Sequence, residues 1–406
     1  MKTFIQKSDL IAFSLNRWNS SFERTEQIMS RYARYRRVYF FEVPVIGISK
    51  EPQYLIRETR DDVKVVEPYL PDHLSVFEQK AALVELIKDL IRDEDIKEYS
   101  VWSDTPKAMP LIRSLKPVAL MYDCLLDYSV TNPELEKEIF DRADVVFASG
   151  TALYGAKRSL HSNIYLQPDS IDYRHFYQGR MNHEDPEDQK DIPHPRIGYA
   201  GPIDKTVDLE LIKNIATLRP DWHIVLAGAV VDVDQESLPQ MPNIHYLSHK
   251  SYVKLPLYLA GWDCSILPLI VNDETKYLNP SLTSQSLVAG KPVISTSLHD
   301  VVHSVDSVHL MAVADFPIDM VQEIENSLLK KSADESWIES VDKNYKGMTW
   351  DTTCARLAEL EHDIYTSKKS KPLLPEHNLI LKLKGSILGR IYGDGCYGAR
   401  EAYYRK

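Results

Sequence analysis

The sequence predicts an α/β protein built from two Rossmann-like domains whose parallel sheets face a central cleft. Three observations predict it. The chain has 406 residues, and single hydrophobic cores stop growing near roughly 250–300 residues. Short apolar, β-branched runs alternate with helix-length amphipathic segments, the pattern of parallel strands flanked by helices. That alternation breaks off once, in a polar stretch, and then restarts.

In the first half, strands are expected at 10–15, 38–42, 100–102, 118–122, 145–148 and 164–166. Helices are expected near 22–35, 77–91, 133–142 and 152–159. Residues 178–195 read QGRMNHEDPEDQKDIPHP, acidic and proline-rich with almost no large apolar side chain. Such a stretch cannot build a core and is expected as an interdomain linker. Strands then recur at 196–199, 224–227, 244–247, 264–267, 293–295 and 309–313. Helices recur near 209–218, 252–260, 280–289, 320–329 and 334–345, and a long one runs from 350 to about 365. The expected organisation is 1–180, a linker at 181–195, 196–348, and a C-terminal helix with a basic tail over 349–406. In paired sheets of this kind, ligands sit beyond the carboxyl ends of the strands.

Composition narrows the function classes. The net charge of -11 offers no basic excess to offset phosphate repulsion, so a general nucleic-acid binder is not expected. Cys124, Cys264, Cys354 and Cys396 are far apart, form no CxxC pair and point to a reducing, cytoplasmic setting. The apolar run at 10–15 is shorter than a signal-peptide core, and no stretch approaches the ~20 apolar residues that span a bilayer. From Lys368 onward there are nine Lys/Arg against three Asp/Glu, which leaves the body more acidic than the total. Within that tail, 379–392 places Ile380, Leu383, Ile387 and Ile391 at helical spacing with Lys382, Lys384 and Arg390 between them. It reads either as a helix packed on protein or as a basic amphipathic helix on an anionic membrane face, with Gly385 and Gly389 weakening it.

The most informative stretch is 272–296, NDETKYLNPSLTSQSLVAGKPVIST. Asn279 is placed to cap a helix, and Pro280 suits its first position. Free amides at such a start, with Ser281 among them, make an anion seat, and Lys276 adds a nearby positive charge. Gly290 ends the helix and 292–295 reads as a buried strand. A capped helix of purely structural purpose fits the same spacing. The pair Asp232 and Asp234 follows an apolar strand and could hold a divalent cation, although a solvated acidic loop accounts for it equally.

This block resembles the donor-site signature of bacterial GT-B glycosyltransferases of the retaining, family-four-like kind, which often read NELTKATNPVKLYEYLAAGKPVVST. Further matching segments are FERTEQIMSRYARY (22–35), YDC (122–124), ADVVFASG (143–150), SIDYRHF (170–176), IGYAGPIDKTVD (197–208), RPDWHIVLAG (219–228) and NIHYL (243–247). Their shared order carries the resemblance from about residue 9 to 365. It implies a GT-B fold and a nucleotide diphosphate sugar, UDP-linked first among the choices, bound mainly by the second domain. The pyrophosphate would lie near the loop after Gly201 and at the helix beginning at Pro280. Carried onto this chain, Lys276, Asn279 and Pro280 match the family pattern, and Lys205 is a further phosphate candidate. The family's lysine after the NP pair falls at Leu282, and its ribose-binding glutamate at Gln285, which keeps one carbonyl acceptor.

On the first domain, Asp123 of the YDC match is expected to end a strand at the cleft and to line the site with Asp127, which stands with Leu126 where the family usually has an Asp-Glu pair, and Arg24 matches an arginine of the family pattern facing the cleft. Asp123 as a simple cap of the next segment stays open. The implied activity is sugar transfer to a glycan or lipid-linked acceptor in bacterial surface polysaccharide synthesis, with no required cofactor or metal. Rival readings are a nucleotide-sugar epimerase and a non-catalytic relative that binds nucleotide or a partner.

Overall fold

The computed structural model describes residues 8–18, 22–181, 184–303, 310–330 and 335–370. The chain divides into two units, 1–365 and 366–406. Both sheets lie in the first unit; of the second, the described part is the last turn of the final helix, through Ser370.

The first sheet contains β1 (Asp9–Phe13), β2 (Val38–Phe41), β3 (Val45–Ile46), β4 (Gln53–Glu58), β5 (Val63–Leu70), β6 (Tyr99–Ser103), β7 (Leu120–Cys124), β8 (Val145–Ala148) and β9 (Ile164–Leu166). Their order is β3-β5-β2-β1-β6-β7-β8-β9, with β4 paired to β5. All pairings are parallel except β4 with β5. Helices α1 (Arg24–Ala33), α2 (Val76–Asp93), α3 (Met109–Ile112), α4 (Pro133–Arg142) and α5 (Thr151–Lys157) accompany it.

Strand β1 shows why both faces of this sheet are covered. Its side chains alternate: Leu10 and Ala12 pack with Ile28, Met29 and Tyr32 of α1, while Ile11 and Phe13 pack with Ile87 and Leu90 of α2. Burial on both faces is what a parallel strand requires. Helix α2 starts with a capping box, in which the Ser75 hydroxyl accepts from Glu78 N–H at 3.3 Å and Glu78 accepts from Ser75 N–H at 2.8 Å. It buries Leu83, Leu86, Ile87 and Leu90, one stripe at helical spacing.

No element is expected from the sequence between 43 and 76, yet β3, β4 and β5 form there. In β4 the inward positions Tyr54 and Ile56 are only half-buried, so the apolar signal is weak. Strand β5 carries Pro68, which normally argues against a strand. Here it falls between Val66, paired with Phe41 of β2, and Tyr69, paired with Val45 of β3, where the ladder on that side changes partner.

The second sheet contains β10 (Arg196–Ala200), β11 (His223–Ala227), β12 (Ile244–Leu247), β13 (Cys264–Leu267), β14 (Val293–Ser295) and β15 (Ala312–Val313). It is wholly parallel in the order β12-β11-β10-β13-β14-β15. The helices are α6 (Tyr173–Tyr177), α7 (Leu209–Leu218), α8 (Leu255–Ala260), α9 (Leu282–Val288), α10 (His299–His303), α11 (Pro317–Lys330) and α12 (Glu335–Tyr345). The expected strand at 309–313 shortens to β15, and His309 lies outside the described residues.

The polar stretch expected as a linker is folded onto the second sheet's layer. Gln189 is fully buried, donates to the Tyr258 carbonyl at 3.3 Å and accepts from Trp262 Nε1 at 2.9 Å. Arg196, 2% exposed, pairs with Asp185 at 2.7 Å. Ile171, Phe176 and Ile192 all belong to the second core, so the chain crosses between the sheets earlier, just after β9. It returns beside that crossing, where Ile171 N–H donates to the Met348 carbonyl at 3.0 Å. Helix α13 (Trp350–Lys369) then covers the first sheet again, burying Trp350, Cys354, Leu357 and Ala358. A bidentate pair fixes its register, Arg36 to Glu361 at 2.7 and 2.8 Å, with both side chains essentially inaccessible.

Candidate functional site

Loops at the carboxyl ends of β1, β6 and β7 form one wall. The β1 loop is anchored by Glu42, a buried carboxylate that accepts from Trp18 N–H and Arg17 Nη1, each at 2.8 Å. Phe22 then adopts φ 53, a left-handed conformation that a bulky residue rarely takes, and its ring meets Tyr252 of the second sheet's layer at 5.3 Å.

Arg24 is the hub beneath this wall. Its Nε and Nη2 each reach a different Asp123 oxygen at 2.8 Å, and Nη1 donates to the Gln167 carbonyl and to Asp169, each at 2.9 Å. Burial pulls the guanidinium down, and Asp123 and Asp169 more than reverse it, leaving its pKa raised. Arg24 is 4% exposed and Asp123 fully buried. The expectation that Asp123 lines the site is therefore corrected: its carboxylate lies under the surface, spent on Arg24, because an unpaired charge there would be costly. Asp127 is likewise engaged, accepting from Lys157 Nζ at 2.6 Å and Ser129 N–H at 2.9 Å. Burial raises its pKa, and Lys157 and Ser129 together outweigh that, for a net lowering.

Two acids that the sequence reading did not single out sit beside this hub. Asp104, directly after β6, accepts from the Thr25 hydroxyl at 2.8 Å, and burial pushes it up to about 6. Glu26 accepts from Glu23 N–H at 3.0 Å through Oε2, leaves Oε1 buried without a partner, and is raised by burial to about 7. The available signal was position alone: Asp104 ends the run YSVWS, and acidic residues beyond strand ends face clefts.

The second wall is made from the loops after β10, β11 and β13. The loop after Gly201 is knit to its neighbours, with Ile203 N–H donating to the Ala229 carbonyl at 2.8 Å and Ile270 N–H to the Thr206 carbonyl at 2.8 Å. Gly228 must lack a side chain, since a Cβ would fall 1.8 Å from the Gly201 carbonyl oxygen. Lys205 pairs with Glu274 at 2.6 Å, and Lys276 with Asp273 at 2.9 Å. Both pairs are solvent-exposed, a class worth only about 0–1 kcal/mol, so either lysine can exchange its partner for another anion.

Helix α9 starts later than expected. Its N-cap is Ser281, in helical conformation and without a side-chain cap bond. Asn279 therefore does not cap it and Pro280 is not its first residue. Pro280 instead precedes a turn in which Thr283 N–H donates to its carbonyl at 3.1 Å. Leu282 is 4% exposed and packs in the second core, so the position of the family lysine faces inward here. Gly290, at φ 76, closes the helix.

The walls meet in a narrow space lined from the first sheet's side by Phe22, Glu23 and Gln27 and from the second by Tyr252, Ser281 and Gln285. The Ser281 hydroxyl reaches the Glu23 carboxylate. The cavity between them measures about 20 Å³, room for little more than one water. Asp232 (φ 53) and Asp234 stay in an exposed loop, with Asp234 accepting from Glu236 N–H at 3.1 Å. Among the described residues no group of three or more His, Cys, Asp or Glu is arranged to hold a metal ion. No described helix is long and apolar enough to cross a membrane, and the expected tail helix at 379–392 lies outside the described residues, as does Cys396.

Two parallel α/β layers whose strand-end loops close on one another define a class: the chain has the GT-B fold of glycosyltransferases. Among solved structures it is similar to sucrose-phosphate synthase of Thermosynechococcus elongatus, with a TM-score of 0.65 at 13% identity over 89% of this chain and 100% of that one. It is similar too to Anabaena HepE in complex with UDP-glucose, with a TM-score of 0.63 at 11% identity over 87% of this chain and 99% of that one. In sequence it is 27% identical over 147 residues to TuaH of Bacillus subtilis (strain 168), assigned as a teichuronic acid biosynthesis glycosyltransferase. That match takes in 35% of this chain and 37% of TuaH, so it spans little over a third of that relative's length. No protein-family model matches the chain.

Proposed function

We propose that this chain is a retaining, metal-independent glycosyltransferase that moves a sugar from a UDP-sugar to a glycan or lipid-linked acceptor in bacterial surface polysaccharide synthesis. The observation that carries the proposal is the meeting of Ser281 and Gln285, from the donor-signature segment, with Glu23 and Gln27 across the interlobe space. The UDP-glucose held by HepE and the polysaccharide assignment of TuaH support the donor and the pathway class.

In this reading residues 1–180 receive the acceptor, 196–348 hold the donor, and 349–406 form the C-terminal helix and tail. The diphosphate lies between the loop after Gly201 and the segment Asn279–Pro280–Ser281, and draws Lys205 and Lys276 from Glu274 and Asp273. Cations there stabilise charge on the departing nucleotide, which lowers the barrier electrostatically. Gln285 accepts from the ribose through its amide carbonyl. Arg24, Asp123 and Asp127 act as positioning residues, holding the first wall in register. The work takes place in the cytoplasm, with contact at the inner face of the cell membrane as the alternative setting.

Isothermal titration with UDP tests the site: Lys276→Ala weakens binding roughly tenfold, the loss of one charge-assisted contact, and unchanged affinity refutes the placement. Labelled UDP-sugar supplied with acceptor extract tests the activity. Transfer to glycan supports it, while tight UDP binding with neither transfer nor hydrolysis supports the inert relative, which the core-facing Leu282 favours. Transfer abolished by EDTA would refute metal independence.

A further inference from the structure

The space between Glu23 and Gln27 on one side and Ser281 and Gln285 on the other measures about 20 Å³, far below the ~300 Å³ at which small-molecule sites begin. A nucleotide sugar reaches this space only if the layers part there, so contacts that tie the layers together bear on its entry. One tie stands apart from the donor segment. Asp300, in α10 of the second layer, is 6% exposed and sends its carboxylate across to α5 of the first. Its Oδ1 accepts from the Thr151 hydroxyl and from Ala152 N–H, the latter at 2.9 Å. It thereby satisfies amide and hydroxyl donors in the first turn of a helix belonging to the opposite layer.

The receiving surface is shaped for that carboxylate. Gly150, immediately before α5, faces it so closely that a Cβ would lie 1.8 Å from Asp300 Oδ2. The same Oδ2 is buried and has no hydrogen-bond partner. A half-satisfied buried carboxylate is an unstable compromise: closing gives it two donors at one oxygen, and opening gives the other oxygen water. That balance makes the contact reversible.

We propose that Asp300 is an interlobe latch, capping the first turn of α5 from the opposite layer to hold the cleft shut, and that it releases whenever donor enters or nucleotide leaves. The latch rests on the donor-site reading for its purpose, but its mechanics stand on geometry alone. Removing the carboxylate tips the balance toward the open arrangement, and so does a wedge at Gly150.

The test is an interlobe distance, measured by pulsed electron resonance between spin labels at Lys88→Cys and Lys213→Cys, with Cys396→Ser in the background. Expected is a shift of population toward longer distances by about tenfold, the scale of one lost charge-assisted hydrogen bond. It should appear in both Asp300→Ala and Gly150→Ala, with circular dichroism unchanged. Thr151→Val, which removes one donor without touching Asp300, gives a smaller shift and serves if either first variant fails to fold. Distances unchanged in the folded variants overturn the latch. A lengthened distance with UDP association no faster than in the parent supports the latch and instead counts against the donor site.

Discussion

Replacing Glu26 by glutamine should make the protein more stable at pH 8 and leave it nearly unchanged at pH 5.5. The side chain is 2% exposed, and burial, with Glu23 and Asp104 adding like charge, raises its pKa from 4.5 to about 7. A raised carboxyl binds its proton more tightly in the folded chain. Its stabilising contribution is thus complete below pH 4.5 and lost as the pH climbs through about 7. A rise from 4.5 to about 7 corresponds to a ceiling of about 3 kcal/mol. Glutamine keeps a carbonyl to accept from Glu23 N–H and carries no charge, though its amide must occupy the place of the unpartnered Oε1. Allowing for that, about 2 kcal/mol should remain at pH 8. Urea unfolding of both proteins at pH 5.5, 6.5, 7.5 and 8.5 gives the difference directly, since titrating groups remote from Glu26 cancel. A variant less stable than the parent at pH 8.5, or a difference independent of pH, would show that ionised Glu26 is not a burden on the fold.

Asp104, raised from 3.8 to about 6, should behave alike one unit lower: Asp104→Asn shows its relative gain between pH 4 and 7, read by urea unfolding at pH 4, 5, 6 and 7. Arg24→Met strands Asp123 in the interior and should cost about 3–5 kcal/mol, with Asp123→Leu added in the same chain recovering part of it; a double-mutant cycle without coupling would deny the pair. Gly228→Ala drives a Cβ onto the Gly201 carbonyl and should cost about 1–3 kcal/mol while weakening UDP binding, measured by urea midpoint and calorimetry. Leu357→Ala opens a void under α13 and should cost about 2–5 kcal/mol in the same urea assay.

The two-sheet architecture was legible because the central strands are parallel and covered on both faces, so most of them write a largely apolar run. The hairpin and strand at 43–70 were illegible for the opposite reason: β4 is an edge strand with half-buried inward positions, and Pro68 sits where a break in the ladder excuses it. At the site, Ser281 and Gln285 could be read from the donor signature and do border the cleft. Spacing could not say that α9 begins one residue past Ser281, because Pro280 is equally at home in a turn. Nor could it say that Asp123 and Arg24, 99 positions apart, consume one another. Polarity misled once. The stretch at 184–195 looks like free tether because it lacks apolar side chains, yet Gln189 and Asp185 spend their polar atoms on Trp262, Tyr258 and Arg196. Asp300 left no trace in sequence, since a cap supplied from another layer obeys no local spacing.

The return of α13 to the first sheet has a practical side for anyone wishing to study the halves separately. No single cut yields two intact pieces: a fragment ending near residue 180 lacks Trp350, Cys354, Leu357 and Ala358, and presents the bare flank of Leu10, Val38 and Met121 to solvent. It also leaves Arg36 without its carboxylate. An independent first half has to be built as a splice, with the α13 sequence rejoined by a tether spanning the missing layer. The chain order thus ties the fate of the first layer to the completion of the second during synthesis.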